Sequence, residues 1–449
     1  MQVDDSEQVF FAQSLDLGYP IPQPPLYTWI MWFIFKIFGA GLGPLTFIKY
    51  FLIYLTFIVS SKISNRIFNS QSLSNISTFS ILLLPSFFWH MHQGFTHTIL
   101  LGFAILMTFH SLILLNEEST IKNYIYFGIA VSIGLLSKYS FLFFLLPLIV
   151  SSFFIKSFRK RLLDLRIFLS ISIIVLITAP HFLWLVDNFS IIFPIVDQKL
   201  NISSQNQGSF LRATFQILTS GFGFITPFIF FAISWVVIGN KKLSAKKDTK
   251  EPMKLLNIFF LIIFSASLLF ALSYEINHIK VRWLHPFLLL FPIWLTYHIS
   301  LRYDLDEKIK RIFYYLLLSL SGLVMLVRLI QVTFAPDIGY YGRINIPIPE
   351  SLKDIPLDLV KNSTLATKDS FIGSHLLSEF DQNSIIIGKN TFRKKENNKN
   401  CLWIWDNDQT GNFYDPAPNL KAIFQKEIVK TSKEKVYIMK MKLVENCPP

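Results

Sequence analysis

Residues 141–186 read FLFFLLPLIVSSFFI, then KSFRKRLLDLR, then IFLSISIIVLITAPHFLWLV. Two long apolar runs flank a connector that carries Lys156, Arg159, Lys160, Arg161 and Arg166. The second run has the roughly 20 residues that a bilayer-spanning helix needs. Working outward, the same alternation recurs over Leu45–Ile63, Ile76–Trp89, His97–Leu115, Tyr124–Leu136, Phe141–Ile155, Ile167–Val186, Phe210–Ile238, Leu255–Leu272, Trp283–Ile299 and Ile312–Phe334. No soluble core calls for so many long apolar segments in succession, so the pattern predicts a polytopic all-α membrane protein with about ten spans.

Composition agrees. Hydrophobic residues make up 52% of the chain and charged residues 16%, and the mean hydropathy is +0.45, values of the membrane class. The net charge of +13 would suggest a nucleic-acid partner in a soluble protein. Here the basic residues sit in short connectors, including Lys241–Lys250 and Arg302–Arg311, with Lys62 and Arg66 in agreement. That is the positive-inside signature, and it excludes the nucleic-acid reading. Alternating spans from these cytoplasmic anchors places residues 1–43, the turn near 90–97, the junction near 137–140, loops 188–208 and 274–282, and everything after about 335 outside. The organisation expected is a first outer loop over 1–43, a transmembrane domain over 44–334 and an extracytoplasmic domain over 335–449. The last segment is polar, with strand-like runs at Ser384–Gly388, Cys401–Trp405 and Val436–Leu443, as in a small α/β domain. Both cysteines, Cys401 and Cys447, lie there, and an oxidising compartment would permit a disulfide.

Chemistry should sit where polar residues gather outside, because ionisable groups near a bilayer are costly. Asp4, Asp5 and Glu7 can offer a general base and oxygen ligands for a hard divalent cation; the alternative is a solvated acidic tail. Gln23-Pro24-Pro25 stiffens the loop that follows, and Tyr27–Phe38 reads as an amphipathic interfacial helix with Trp29 and Trp32 in an aromatic belt. His90, His92, Gln93 and His97 mark a turn between spans, as metal or sugar ligands or as mutually satisfied interfacial residues. Lys138-Tyr139 interrupts an apolar stretch, so Lys138 must snorkel to the surface or meet an anion such as a phosphate. The run 274–283 holds His278, Lys280 and Arg282, which suit a phosphate, or else a solvated loop. An acidic and a basic cluster on one membrane face suit a lipid-phosphate substrate.

Seven short pieces then appear in order: Asp4-Asp5-Ser6-Glu7-Gln8, Gly18-Tyr19, Gln23-Pro24-Pro25-Leu26-Tyr27-Thr28-Trp29, Phe95-Thr96-His97-Thr98, Gly134-Leu135-Leu136-Ser137-Lys138-Tyr139, Ala179-Pro180-His181 and Arg282-Trp283-Leu284-His285-Pro286. In these the chain resembles glycosyltransferase family 39, the group of dolichyl-phosphate-mannose–protein mannosyltransferases and lipid A aminoarabinose transferases. The resemblance implies a GT-C membrane fold and a polyprenyl-phosphate sugar donor. It also implies a hexosyl or pentosyl transfer, by inverting displacement, to an acceptor on the outer face of the cytoplasmic (inner) membrane. The acceptor would be an envelope lipid, glycan or protein. Asp4 and Asp5 take the positions of the family's catalytic acid pair. Lys138, Arg282 and Lys280 would hold the donor phosphate, and Glu7, Gln23, Tyr27, His97, Tyr139 and His278 would line the substrate site. Some relatives use a divalent metal, for which Asp5, Glu7 and His97 are the candidate ligands. Two departures stand out. The family carries a span ahead of the acidic motif, whereas this sequence begins three residues before it; the expectation is a truncated start or a copy without that helix. Relatives nearest the aminoarabinose enzyme carry Lys where Gln23 stands, so that branch's metal and phosphate assignments are not carried over. The rival readings are a transporter or flippase, or an inactive binder, of lipid-linked sugars.

Overall fold

The computed structural model describes residues 1, 3–84, 87, 89–92, 94–200, 210–241, 250–272, 288–334, 346–380, 385–387, 390–392, 400–406, 422–432 and 435–445. By contacts the chain forms two compact units, each discontinuous in sequence. One gathers Asp16–Tyr27 and Lys49–Val324; the other gathers Met1–Leu15, Thr28–Ile48 and Met325–Pro449.

The first unit is helical. Among the described residues, Leu42–Ile67, Thr96–Glu117, Ile167–Asp187 and Glu307–Gln331 are each long and apolar enough to cross a membrane, and Tyr139–Phe153 with Lys156–Leu162 forms an apolar pair bent by 113°, a broken span or a re-entrant loop. Phe210–Ile238 and Glu251–Leu272 are further apolar helices. The apolar runs are helical because nothing in a bilayer competes for backbone hydrogen bonds, so each segment must satisfy its own.

Two expectations need correcting. The apolar run Ile76–Trp89 is not one straight span. Its first helix, Gln71–Phe79, gives way to a 3₁₀ turn at Ser80–Leu83. Hydroxyls of Thr78 and Ser80 turn back onto the Ser74 and Ser77 carbonyls, and Leu84, ahead of Pro85, is forced extended (φ −73°, ψ 124°). The outer loop expected over 188–208 contains a helix, Phe189–Leu200, because Ile191, Ile192, Ile195 and Val196 recur at helical spacing.

Basic connectors meet at one end of this unit. Arg66 pairs with Glu117, Asn116 donates to Glu251 at 2.9 Å, Arg161 donates to the Asn116 carbonyl, and Lys250 Nζ reaches the Asn69 side chain at 3.0 Å. Thr96–Glu117 runs from this end to the opposite one, and its 22 residues span about 33 Å at 1.5 Å per residue.

The first unit holds a short antiparallel pair, β1 (Asn240–Lys241) with β2 (Tyr303–Asp304); in the second unit a six-stranded sheet runs in the order β5-β4-β3-β6-β8-β7. Here β3 is Ser363–Thr367, β4 Ile385–Ile387, β5 Asn390–Phe392, β6 Asn400–Asp406, β7 Ala422–Ser432 and β8 Lys435–Glu445. Strand β3 is parallel to β4 and β6, and the other pairings are antiparallel. Of the three runs read as strand-like from sequence, Ser384–Gly388 contains β4, and Cys401–Trp405 and Val436–Leu443 fall within β6 and β8; β3, β5 and β7 were not expected. β3 is buried along its whole length and packs with Cys401, Trp403, Trp405 and Val444 around Ala366. Cys401 is disulfide-bonded; the chain's other cysteine, Cys447, lies outside the described residues. The helix Ser370–Glu379 follows β3, capped by Asp369, whose carboxylate accepts from Phe371 N and Ile372 N.

Candidate active site

The acidic motif is helical rather than a loose tail. Val3–Phe11 carries Asp4 and Asp5 in its first turn, where unpaired backbone N–H groups favour negative charge. Helical spacing sorts the acids. Asp4 and Glu7, three apart, share a half-buried face, while Asp5 is 2% exposed and Gln8 fully buried. On that buried side Thr28 Oγ1 donates to Gln8 Oε1 at 2.9 Å, and Ser374 Oγ from the Ser370–Glu379 helix reaches the Ser6 carbonyl at 2.8 Å. The motif is thus clamped by its own unit, with Asp4 left as the more accessible member of the acid pair.

Five of the sequence pieces meet in the other unit, at the end opposite the basic connectors. Residues 16–25 form an irregular segment ahead of the Leu26–Phe38 helix; its Tyr19 is buried, with the hydroxyl accepting from Asp16 N at 3.3 Å. Burial pushes the Tyr19 phenol up to about 12. Gly18 lies so close to Trp184 that a Cβ would fall inside the indole ring. Tyr27 is fully buried, and its ring centroid lies 5.5 Å from that of His97. His97 opens the Thr96–Glu117 helix just after Phe95, whose φ of 64° is left-handed for a non-glycine residue, a strain of about 1–3 kcal/mol that clusters at functional sites. Phe95 stacks on His90 at 5.5 Å, and His92 Nδ1 lies 3.0 Å from Tyr50 Oη.

Lys138 sits where the Ile121–Ser137 helix stops. Its backbone is extended (φ −163°, ψ 136°), and a 3₁₀ turn over Tyr139–Phe141 starts the next span. Gly134 makes room for this corner, since the Phe141 ring lies where a Cβ would stand. Lys138 Nζ donates to Thr98 Oγ1 at 2.8 Å. Next to it, Tyr139 Oη lies 3.2 Å from His181 Nε2, and His181 Nδ1 lies 2.8 Å from the Leu17 carbonyl. A carbonyl can only accept, so Nδ1 carries the proton and Nε2 accepts from the tyrosine. His181 also stacks on Trp184 at 6.0 Å.

The structure therefore brings Tyr27 together with His97, and Lys138-Tyr139 together with Thr98, His181 and Leu17. Gln23 is half-buried, and among the described residues nothing donates to its buried Oε1. Gln93, His278, Lys280 and Arg282 lie outside the described residues. Among the described residues no three of His, Cys, Asp and Glu stand together to hold an ion, and of the candidate ligands Asp5 and Glu7 belong to one unit and His97 to the other. Asp5 and Glu7, two apart on a helix, diverge by about 200° around its axis, which suits a shared ion poorly. Sequence reasoning quoted Pro180-His181 and Thr98 without giving them roles. The available signal was an imidazole within an apolar span, which is costly without a partner.

Comparison with known proteins agrees with this geometry. Residues 22–184 match the dolichyl-phosphate-mannose-protein mannosyltransferase family, the stretch that supplies the Tyr27, His97, Lys138 and His181 pieces. The chain also aligns along 97% of its length with the crystal structure of ArnT from Cupriavidus metallidurans bound to undecaprenyl phosphate, covering 93% of that chain with a TM-score of 0.60. The chain is glycosyltransferase family 39-like. Its fold is the GT-C membrane fold; at 13% identity the ArnT likeness speaks for the fold alone. Among curated proteins it is 26% identical to the lipopolysaccharide core galacturonosyltransferase RgtA of Rhizobium johnstonii, over 86% of this chain and 77% of that one. It is 25% identical to RgtB of the same organism, with the same described activity, over 84% and 76%. This family-39-like protein is a membrane glycosyltransferase.

Proposed function

We propose that this glycosyltransferase moves a sugar from a polyprenyl-phosphate donor to a hydroxyl of an envelope acceptor, at the outer face of the cytoplasmic membrane. The C-terminal sheet domain is read as lying on that same side. The observation that carries the reading is the Lys138 ammonium, held by Thr98 at a helix break on the end of the bundle away from the basic connectors. A cation kept there has an anion as its natural complement, and a lipid phosphate is an anion delivered at the membrane surface.

In this reading the acceptor hydroxyl attacks the anomeric carbon. Asp4 takes its proton, the bond between that carbon and the phosphate oxygen breaks, and polyprenyl phosphate leaves. Lys138 neutralises the charge that grows on the departing phosphate, an effect typically worth a few kcal/mol. Lys280 and Arg282 are assigned the same task from sequence. Asp5, buried beside Gln8 and Ser6, orients the motif helix rather than exchanging the proton. Tyr27 and His97 wall the substrate side, with Gln23 offering a buried acceptor oxygen. No step is drawn through a metal ion.

The relatives' described activities favour a galacturonosyl residue as the sugar and a lipopolysaccharide core as the acceptor. The test is transfer from a panel of radiolabelled polyprenyl-phosphate sugars, galacturonosyl included, in membranes holding the chain or its Asp4→Asn variant. Acceptor-dependent transfer that disappears with Asp4→Asn supports the enzyme. Donor binding without turnover across the panel defeats it in favour of an inactive binder, and donor movement across vesicles without transfer favours a flippase.

A further inference from the structure

We infer that His181 is the positioning residue that fixes the Lys138–Tyr139 corner for the lipid phosphate; this rests on the proposed role of Lys138. His181 lies within the Ile167–Asp187 helix, directly after Pro180, and is fully buried. Its two nitrogens face different parts of the chain: Nδ1 donates to the Leu17 carbonyl of the 16–25 segment, and Nε2 accepts from Tyr139. Burial in an apolar helix makes each of these bonds costly to lose, since neither group has water to turn to.

The bond chain has a fixed polarity. Because Leu17 can only accept, the imidazole proton is on Nδ1, and the Tyr139 hydroxyl must spend its own proton on Nε2. The Tyr139 oxygen then presents lone pairs only. It cannot donate to a phosphate and would repel one, so the anion is directed to the Lys138 ammonium, whose Nζ is already set by Thr98. The histidine therefore settles two things at once: where the extended break at Lys138 sits relative to the 16–25 segment, and which of the two neighbouring side chains can receive the anion. Gly18 and Trp184 brace the arrangement, the glycine by admitting the indole and the indole by stacking on the imidazole.

The experiment is the affinity of the purified full chain for undecaprenyl phosphate, read for wild type, Lys138→Ala, Tyr139→Phe, His181→Asn and the Tyr139→Phe/His181→Asn double variant, with thermal melting of each. Asparagine places its amide nitrogen near the Nδ1 position, keeping a donor for Leu17 while removing the partner of Tyr139. The expected result is affinity weakened about fivefold by Tyr139→Phe and by His181→Asn, the loss of one buried hydrogen bond. The double variant should be no weaker than the worse single one, the mark of two groups acting through one bond. Affinities within twofold of wild type in both singles, or losses that multiply in the double, overturn the inference. Loss of affinity only in step with loss of melting temperature also overturns it, because that is a structural role. Should His181→Asn fail to fold, Tyr139→Phe, which removes one hydroxyl, decides alone. Lys138→Ala separates the levels: if it leaves affinity unchanged, the proposed phosphate role fails. If it abolishes binding while the other variants bind normally, only the role of His181 fails.

Discussion

The two ends of the Thr96–Glu117 helix use polar residues in opposite ways. At the Glu117 end, Arg66 and Glu117 form an ion pair with side chains 38% and 42% exposed, amid lysines and arginines that water can also solvate. At the His97 end, His97, Tyr27 and His181 are nearly or fully buried, and the polar links are single hydrogen bonds between defined atoms. The first end is basic in sum, the kind of charge on which the positive-inside rule acts, and no one pair matters much. The second end depends on each bond, because a polar group deprived of its partner there has no solvent to replace it. Charge number counts at one end and charge position at the other.

Substitutions should reproduce this asymmetry. The largest effect is expected from Lys138→Ala, with kcat/KM for a polyprenyl-phosphate sugar lowered about a hundredfold or more at unchanged expression, as for removal of a charge-stabilising donor; steady-state transfer assays check it. Gly18→Ala pushes a methyl group into the Trp184 ring, so melting in detergent should show a loss of about 1–3 kcal/mol, the usual cost of overpacking. Thr98→Val removes one bond to Lys138 and should weaken undecaprenyl phosphate binding about fivefold, at a melting cost of about 1 kcal/mol. Arg66→Ala, at the other end, should cost under about 1 kcal/mol and leave transfer untouched, with the Arg66–Glu117 coupling shrinking as salt is raised. A fold-scale loss from Arg66→Ala, or wild-type kinetics in Lys138→Ala, would erase the contrast between the ends.

The C-terminal unit gives a separate, pH-based check. His375 is buried in the Ser370–Glu379 helix that clamps the acidic motif, and burial lowers its pKa to about 4 from an ordinary 6.5. The folded state therefore binds fewer protons than the unfolded state between those values. Its stability is fully present above about pH 6.5 and declines as pH falls towards 4. Melting should drop between pH 7 and pH 5, and His375→Gln should flatten that slope.

Much of this was legible along the chain. Apolar runs announced the helices, and the clustering of Lys156 to Arg166 announced the basic end where Arg66, Arg161 and Lys250 gather, because lipid contact and membrane charge act on composition. Composition could not say which span is central. Thr96–Glu117 and Ile167–Asp187 are almost equally apolar, yet 83% of one window and 17% of the other is buried inside the protein. Lipid and protein interior are alike to a leucine, so hydropathy carries no signal of which neighbour a span meets. The site shows the same division. Lys138 stood out as a cation in an apolar run, but His181 drew no role, since its partners, Leu17 and Tyr139, lie 164 and 42 positions away.

Local rules also gave way where longer-range packing intervened. The Asp4–Glu7 cluster could be read as a solvated tail until Thr28 and Ser374 supplied partners for the backbone and side chains of its helix. Strand β3 escaped notice because Ser363–Thr367 is short and mixed in polarity, and only its parallel pairing with β4 and β6 makes it the buried centre of the sheet. What the sequence by itself determined is the class: a bundle of apolar membrane helices with basic connectors, a polar C-terminal domain with strand-forming runs, and an acid pair and a lysine in an apolar stretch as candidate site residues. Only the tertiary structure decided which polar atoms meet. Spans and orientation follow from what each residue prefers as a solvent, which is local information, whereas a hydrogen bond needs two atoms within about 3 Å, and folding alone brings distant residues that close.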